Sequence, residues 1–201
     1  PAISFWYSKE GGLELPDCAV AGLRSLLRIG KLQPRLCAYQ EFTNVPEGVR
    51  VVNAEELLSF EKFESLVTKC ENRIALLADY VRVCDMERNE SNVVWFWDVD
   101  TLVLHDLRNI PVPSGAFGHL ISTMDRRPGC MRGIRETVKR HMKTFAKEPG
   151  DEAYMATPLR VPRSSPFLHR WISLMRETLF GDQPVKGFDH NIFMHARKES
   201  V

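Results

Sequence analysis

The chain has 201 residues and 44% hydrophobic content, enough to bury one substantial core, which predicts a single domain over residues 1–201. Its 27 basic and 26 acidic residues nearly cancel, so no global charge favours nucleic acid as a partner. No apolar run approaches the ~20 residues of a membrane span, and the five cysteines lack the spacing of a zinc or redox site, which argues against a transmembrane segment and a zinc knuckle.

The first part of the chain alternates between the patterns of strands and helices. The apolar and aromatic stretch Ile3–Tyr7 predicts a first strand, and residues 17–30 predict a helix with one apolar stripe. A second strand is expected at Arg35–Tyr39 and a further extended segment at Val49–Val52. This order of elements is typical of an α/β sheet.

Two further helices are predicted before the central strand. They cover Phe60–Cys70 and Arg73–Met86. In the second helix Asp79 and Arg82 are three residues apart and are therefore neighbours on its surface. Taken alone, such a pair is most often an ordinary surface ion pair.

The most informative stretch of the sequence is the apolar run Val93–Trp97, which leads directly into Asp98 and Asp100. It predicts a buried strand that ends in two carboxylates. In open α/β sheets, ligands bind at the carboxyl ends of the strands. Because an ionised Asp is seldom buried without a partner, we expect a cation near this pair.

Beyond residue 107 the patterns are weaker. Strands are predicted at Ala116–Ser122 and Ala153–Thr157, with a basic helix over Gly133–Lys147 between them. A last helix is expected from Ser165-Pro166 to Gly181. Its predicted core-facing residues are Phe167, Trp171, Leu174 and Met175.

The paired carboxylates fit three roles. In the first, they anchor Mg²⁺ or Mn²⁺, which takes up the charge of a nucleotide diphosphate during sugar transfer. In the second, Asp98 attacks a phosphoryl group while Asp100 is the general acid and base, as in haloacid-dehalogenase-like phosphatases. That pattern is disfavoured because 97 residues precede Asp98 and Leu102 stands where a Thr or Val is usual. The third role is a structural acidic turn.

Several segments share their order along the chain with one enzyme family. They are Ser4-Phe-Trp-Tyr7, Leu23-Arg-Ser-Leu-Leu-Arg-Ile-Gly30, Asn44-Val-Pro-Glu-Gly48, Asn53-Ala-Glu-Glu-Leu57, Ala78-Asp79-Tyr80-Val81-Arg82 and Trp97-Asp98-Val99-Asp100. Over roughly residues 4–107 the chain resembles the glycosyltransferases known by their DXD sugar-binding region, a group with capsular-polysaccharide, mannosyl- and α-1,4-glycosyltransferase-like members.

The resemblance implies a GT-A-like (Rossmann-like) mixed sheet flanked by helices, with a nucleotide-sugar donor. Residues 1–107 would form the donor-binding half and 108–201 the acceptor-side half, with a glycan, lipid or protein acceptor. Asp98 and Asp100 would bind the Mn²⁺ or Mg²⁺ ion, Asp79 and Arg82 the donor sugar, and Trp6 or Tyr7 the base. Family members retain the anomeric configuration.

The catalytic residue is not identified by these motifs. Asp189 and His190 form the polar cluster near the C-terminus that could supply a further metal ligand or an acceptor contact, although a capped helix start is the simpler interpretation.

A non-catalytic glycosyltransferase-like subunit of a larger assembly is the competing hypothesis. The family commonly has two glycines where this chain has Val93 and Val94, a change that a scaffold would tolerate. The resemblance places the protein in the Golgi lumen if it is eukaryotic and in the cytoplasm if it is bacterial.

Overall fold

The computed structural model describes residues 1–69, 74–108, 119–120, 154–155 and 159–181. Seven strands are described: β1 (Ala2–Phe5), β2 (Pro34–Ala38), β3 (Arg50–Asn53), β4 (Val93–Phe96), β5 (His119–Leu120), β6 (Tyr154–Met155) and β7 (Leu159–Pro162). The described α-helices are α1 (Asp17–Arg28), α2 (Phe60–Lys69), α3 (Ile74–Arg88) and α4 (Pro166–Phe180).

Five strands form a mixed sheet in the order β3-β2-β1-β4-β7. The first four run parallel, and β7 lies antiparallel to β4 at the edge. The predicted α/β class is confirmed, and the described residues form one α/β domain with helices on both faces of the sheet. Strands β5 and β6 form a separate antiparallel pair within the two segments predicted as strands.

The sheet separates two apolar regions. On one face, β1 and β4 pack through Ile3, Phe5 and Phe96 against α2, α3 and α4. On the other face, α1 packs through Leu23 and Leu26 against β2 and the segment that follows β4. The helix α3 is buried on most of its surface, since it lies between the sheet and α4.

Buried charge fixes α3 on the sheet. Arg35 in β2 makes a bidentate pair with Asp85 of α3, with N–O distances of 2.6 and 2.7 Å. Asp85 is only 2% exposed, so the pair is a buried one, in which both carboxylate oxygens accept from the guanidinium. The apolar periodicity of the sequence gave no indication of this pair.

Strand β7 was not predicted, since its sequence Leu-Arg-Val-Pro is short and interrupted by polar and helix-breaking residues. An edge position tolerates both Arg160 and Pro162, because only one side of the strand must be hydrogen bonded. The predicted basic helix over residues 133–147 lies outside the described residues. No helix within the described segments has the length and apolar character required to cross a membrane.

Candidate functional site

The predicted carboxylates follow β4, next to the space between the loops that leave the carboxyl ends of β1 and β4, which we call the crevice. The chain adds β2 and β3 on one side of β1 and then adds β4 on the other side, so the order of strand addition reverses between β1 and β4. At this change a ligand can enter between the loops that leave the carboxyl ends of the two strands. Trp97, just past β4, donates its backbone N–H to the Ile3 carbonyl at 3.0 Å, and Asp98 follows at once.

Asp98 and Asp100 lie in one tight turn. The Thr101 N–H donates to the Asp98 carbonyl at 3.0 Å, and the Trp97 indole N–H donates to the Thr101 carbonyl at 3.3 Å. Between the two carboxylates, Val99 is 5% exposed and packs against α1. The turn therefore buries its central apolar residue and leaves the Asp98 side chain 42% exposed and Asp100 exposed to solvent.

Arg82 of α3 connects the helix to this turn. Its Nη1 donates to Asp98 Oδ1 at 2.6 Å and to the Trp97 carbonyl at 3.0 Å, while Nη2 donates to Asp79 Oδ1. Its guanidinium carbon lies 3.8 Å from the centroid of the Phe96 ring, a cation–π contact. The structure thus brings three of the predicted site residues, Asp79, Arg82 and Asp98, into direct contact.

The surroundings of Arg82 favour its charged form. Burial lowers the pKa of Arg82, but the carboxylates of Asp79 and Asp98 outweigh that effect and raise the pKa above its ordinary value. Asp79 is 4% exposed and Arg82 is 7% exposed, so both charges are inside the protein. Among the predicted site residues that the structure describes, the three carboxylates of Asp79, Asp98 and Asp100 face a single guanidinium, so these four side chains carry excess negative charge.

The two aromatic candidates lie on opposite faces of the sheet. Trp6 packs with Val99 against α1, whereas Tyr7 packs on the α3 face, the face from which Arg82 reaches Asp98. Trp6 and Tyr7 lie on opposite faces because successive side chains of an extended chain point to alternate sides. Of the two, Tyr7 shares its face with the charged cluster.

Tyr7 belongs to an aromatic group beyond the carboxyl ends of β1 and β2. Its ring centroid lies 5.0 Å from that of Phe63 and 6.5 Å from that of Tyr39, and Phe60 completes the group. Tyr7, Tyr39 and Phe60 are half-buried, so part of each ring faces outward. This group forms an aromatic cluster on the α3 face of the sheet, beyond the carboxyl ends of β1 and β2.

Two other sequence features lie away from the crevice or outside the described residues. Val93 and Val94 are at the amino end of β4, where they pair with Pro162 and Val161 of β7. At about 3.3 Å per residue they are more than ~10 Å along the strand from Asp98, so they do not line the crevice. Asp189 and His190 fall outside the described residues, and their role stays a prediction.

Two residues behind the turn were not singled out from the sequence. A Cβ added to Gly22 of α1 would lie 2.0 Å from the Val99 carbonyl oxygen, so only glycine fits where the helix meets the turn. Ser25 accepts the Val103 N–H at 2.9 Å and donates to the Gly22 carbonyl at 2.7 Å. A glycine inside an amphipathic helix is the one signal in the sequence that could have indicated this close approach.

Within the described segments no group of three or more His, Cys, Asp or Glu side chains is arranged to hold a metal ion. An ion at Asp98 and Asp100 would therefore need ligands other than the described side chains, such as substrate oxygens and water. Magnesium commonly binds in this way, through one or two carboxylates and substrate phosphates. The exposed Asp100 and the outward oxygen of Asp98 are compatible with such coordination.

No protein-family model matches the chain, and no curated protein matches its sequence. Among solved structures, the PaToxG glycosyltransferase matches with a TM-score of 0.56 and 10% sequence identity, over 100% of this chain and 69% of that chain. The chain has a glycosyltransferase fold. At this identity the likeness establishes the fold alone, so the DXD family itself stays a prediction.

Proposed function

We propose that this protein is a glycosyltransferase that binds a nucleotide-sugar donor in the crevice between β1 and β4. The proposal rests on one observation. At the crevice, Asp79, Arg82 and Asp98 form a hydrogen-bonded chain, and Asp100 lies exposed in the same turn. A buried charge cluster of this kind, at the point where a ligand can enter an α/β sheet, is typical of a functional site.

A divalent metal ion is part of this proposal. Asp98 has one carboxylate oxygen bound to Arg82, which leaves Oδ2 for an ion, and Asp100 offers a second exposed carboxylate. When bound, Mg²⁺ or Mn²⁺ neutralises the charge of the diphosphate that leaves as the sugar is transferred. The excess negative charge of the site favours a dication over an anion when the donor is absent.

The chain's own residues supply orientation. Both terminal nitrogens of Arg82 donate to partners inside the protein, namely Asp79, Asp98 and the Trp97 carbonyl, so we assign it mainly to holding Asp98 in place. Asp79 holds Arg82 from the helix side. The outward edges of Tyr7 and its aromatic neighbours provide an apolar surface for the base of the donor.

The position of the two valines favours donor binding over the scaffold alternative. The valines that replace the family's glycines lie at the amino end of β4, away from the charged cluster. The phosphatase hypothesis makes Asp98 the nucleophile, and the ion pair of its Oδ1 with Arg82 at 2.6 Å disfavours that role because it draws negative charge away from the carboxylate. Donor binding therefore remains the function that the site supports best.

Calorimetric titration with a panel of nucleotide sugars, with and without Mn²⁺, tests the proposal. We expect binding that depends on the metal and is lost in Asp100→Asn, whose side chain is exposed and supports no buried contact in the structure. The matched control is Asp106→Asn, an acidic residue of the same segment that pairs with Arg108 instead. A folded protein that binds no donor in either condition would overturn the proposal and favour the scaffold. Release of nucleoside diphosphate then measures turnover.

A further inference from the structure

The segment that carries Asp98 and Asp100 is held from behind by α1. Val99, Val103 and Leu107 are buried at intervals of four residues, and they pack along α1 in the order of the chain. The residues between them, Leu102 and Leu104, are 59% and 74% exposed. The segment therefore lies along the helix with one face inward, and its position depends on where α1 lies.

The contacts between α1 and this segment are close and specific. At Gly22 the helix backbone approaches the Val99 carbonyl so closely that a Cβ would lie 2.0 Å from the oxygen. One turn later, the buried Ser25 hydroxyl accepts the Val103 N–H at 2.9 Å and donates to the Gly22 carbonyl at 2.7 Å. At the end of the helix, Leu107 donates its N–H to the Gly30 carbonyl at 3.2 Å.

We infer that α1 sets the position of the two carboxylates, with Ser25 and Gly22 as positioning residues for the Asp98–Thr101 turn. The part of this inference that concerns metal binding rests on the proposed function. Arg82 holds the Asp98 side chain from the α3 face, and α1 holds the backbone of the turn from the opposite face. Within the described part of the chain no hydrogen bond or ion pair holds the Asp100 side chain, so there the backbone of the turn sets where its carboxylate lies.

The central variant is Ser25→Ala, which removes the acceptor of the Val103 N–H while leaving the crevice side chains unchanged. The control is Ser4→Ala, another buried serine, whose hydroxyl has no hydrogen-bond partner among the described residues. A second variant, Gly22→Ala, inserts a methyl group against the Val99 carbonyl. Gly→Ala inside a helix is ordinarily stabilising, so any disruption here arises from that contact.

Two measurements separate positioning from general stability. The first is Mn²⁺ affinity of the folded protein by electron paramagnetic resonance, for which we expect Ser25→Ala and Gly22→Ala to bind about tenfold more weakly, as is usual when a supporting contact of a metal ligand is removed. The second is hydrogen exchange at the Thr101 amide, which needs no metal. We expect this amide to exchange about tenfold faster in Ser25→Ala, because a buried hydrogen bond is lost behind the turn. Ser4→Ala should match the parent protein in both measurements.

The outcomes distinguish this inference from the proposed function. If the parent binds Mn²⁺, Asp100→Asn does not, and Ser25→Ala matches the parent in both affinity and Thr101 exchange, the inference is wrong and the proposed function stands. If the parent does not bind Mn²⁺, the metal role fails, and Thr101 exchange alone decides whether α1 positions the turn. A more stable Gly22→Ala with unchanged Mn²⁺ affinity also contradicts the inference.

Discussion

Replacement of Arg82 by Met is expected to lower the stability of the protein substantially. The Arg82 and Asp79 side chains are 8% and 6% exposed, so Arg82→Met leaves a buried carboxylate without its guanidinium partner. Removing one member of a buried ion pair typically costs about 3–5 kcal/mol. The Asp98 side chain adds little to this cost, because at 42% exposure water can solvate its carboxylate.

The assay is urea unfolding followed by far-UV circular dichroism. The double variant Asp79→Asn with Arg82→Met should recover part of the loss, since it removes the buried charge along with its partner. The control is Arg108→Met, whose pair with Asp106 is exposed to solvent and should contribute little to stability. The reasoning is refuted if Arg82→Met costs no more than the control, or if the double variant is less stable than the single one.

Three further predictions concern pH dependence and the aromatic residues. Arg108 lowers the pKa of Asp106 to about 2, so an NMR titration of the Asp106 carboxyl should give this value, and Arg108→Gln should return the pKa towards 3.8. The exposed pair therefore adds a small stabilisation above pH 3.8, which is lost as the pH falls through about 2. Burial raises the pKa of the Cys37 thiol well above 9.0, so the stabilising contribution of the neutral thiol is complete below pH 9.0 and is lost as the pH rises through the folded-state pKa. The free energy of unfolding, measured from pH 8 upward, should show this loss, and the loss should be smaller in Cys37→Ala. Under the proposed function, Tyr7→Ala should weaken donor binding measured by calorimetry. Trp6→Ala should instead lower the free energy of unfolding by about 2 kcal/mol with little effect on donor affinity. Equal losses of donor affinity in the two variants would contradict the assignment of these side chains to opposite faces.

The elements that the sequence determined are those whose signals are local. The apolar runs at residues 3–7 and 93–97 produced β1 and β4, and the helical periodicity before β4 produced α3. Asp98 and Asp100 were recognisable because they directly follow a buried strand, and their chemistry can be argued from their residue type and spacing. Strand β7 was not predicted because an edge strand needs hydrogen bonds on only one side, so its sequence can contain Arg and Pro and lacks a clear strand pattern.

The arrangement of the site was decided by the tertiary structure, because its contacts join distant parts of the chain. Arg82 bonds to Asp98, 16 residues further on, and Ser25 bonds to Val103, 78 residues further on. The sequence suggested a helix-surface pair at Asp79 and Arg82, and packing of α3 between the sheet and α4 turned it into a buried one. Local propensity sets which segments are helices and strands, but burial and long-range hydrogen bonds set which charges meet and where a carboxylate is held.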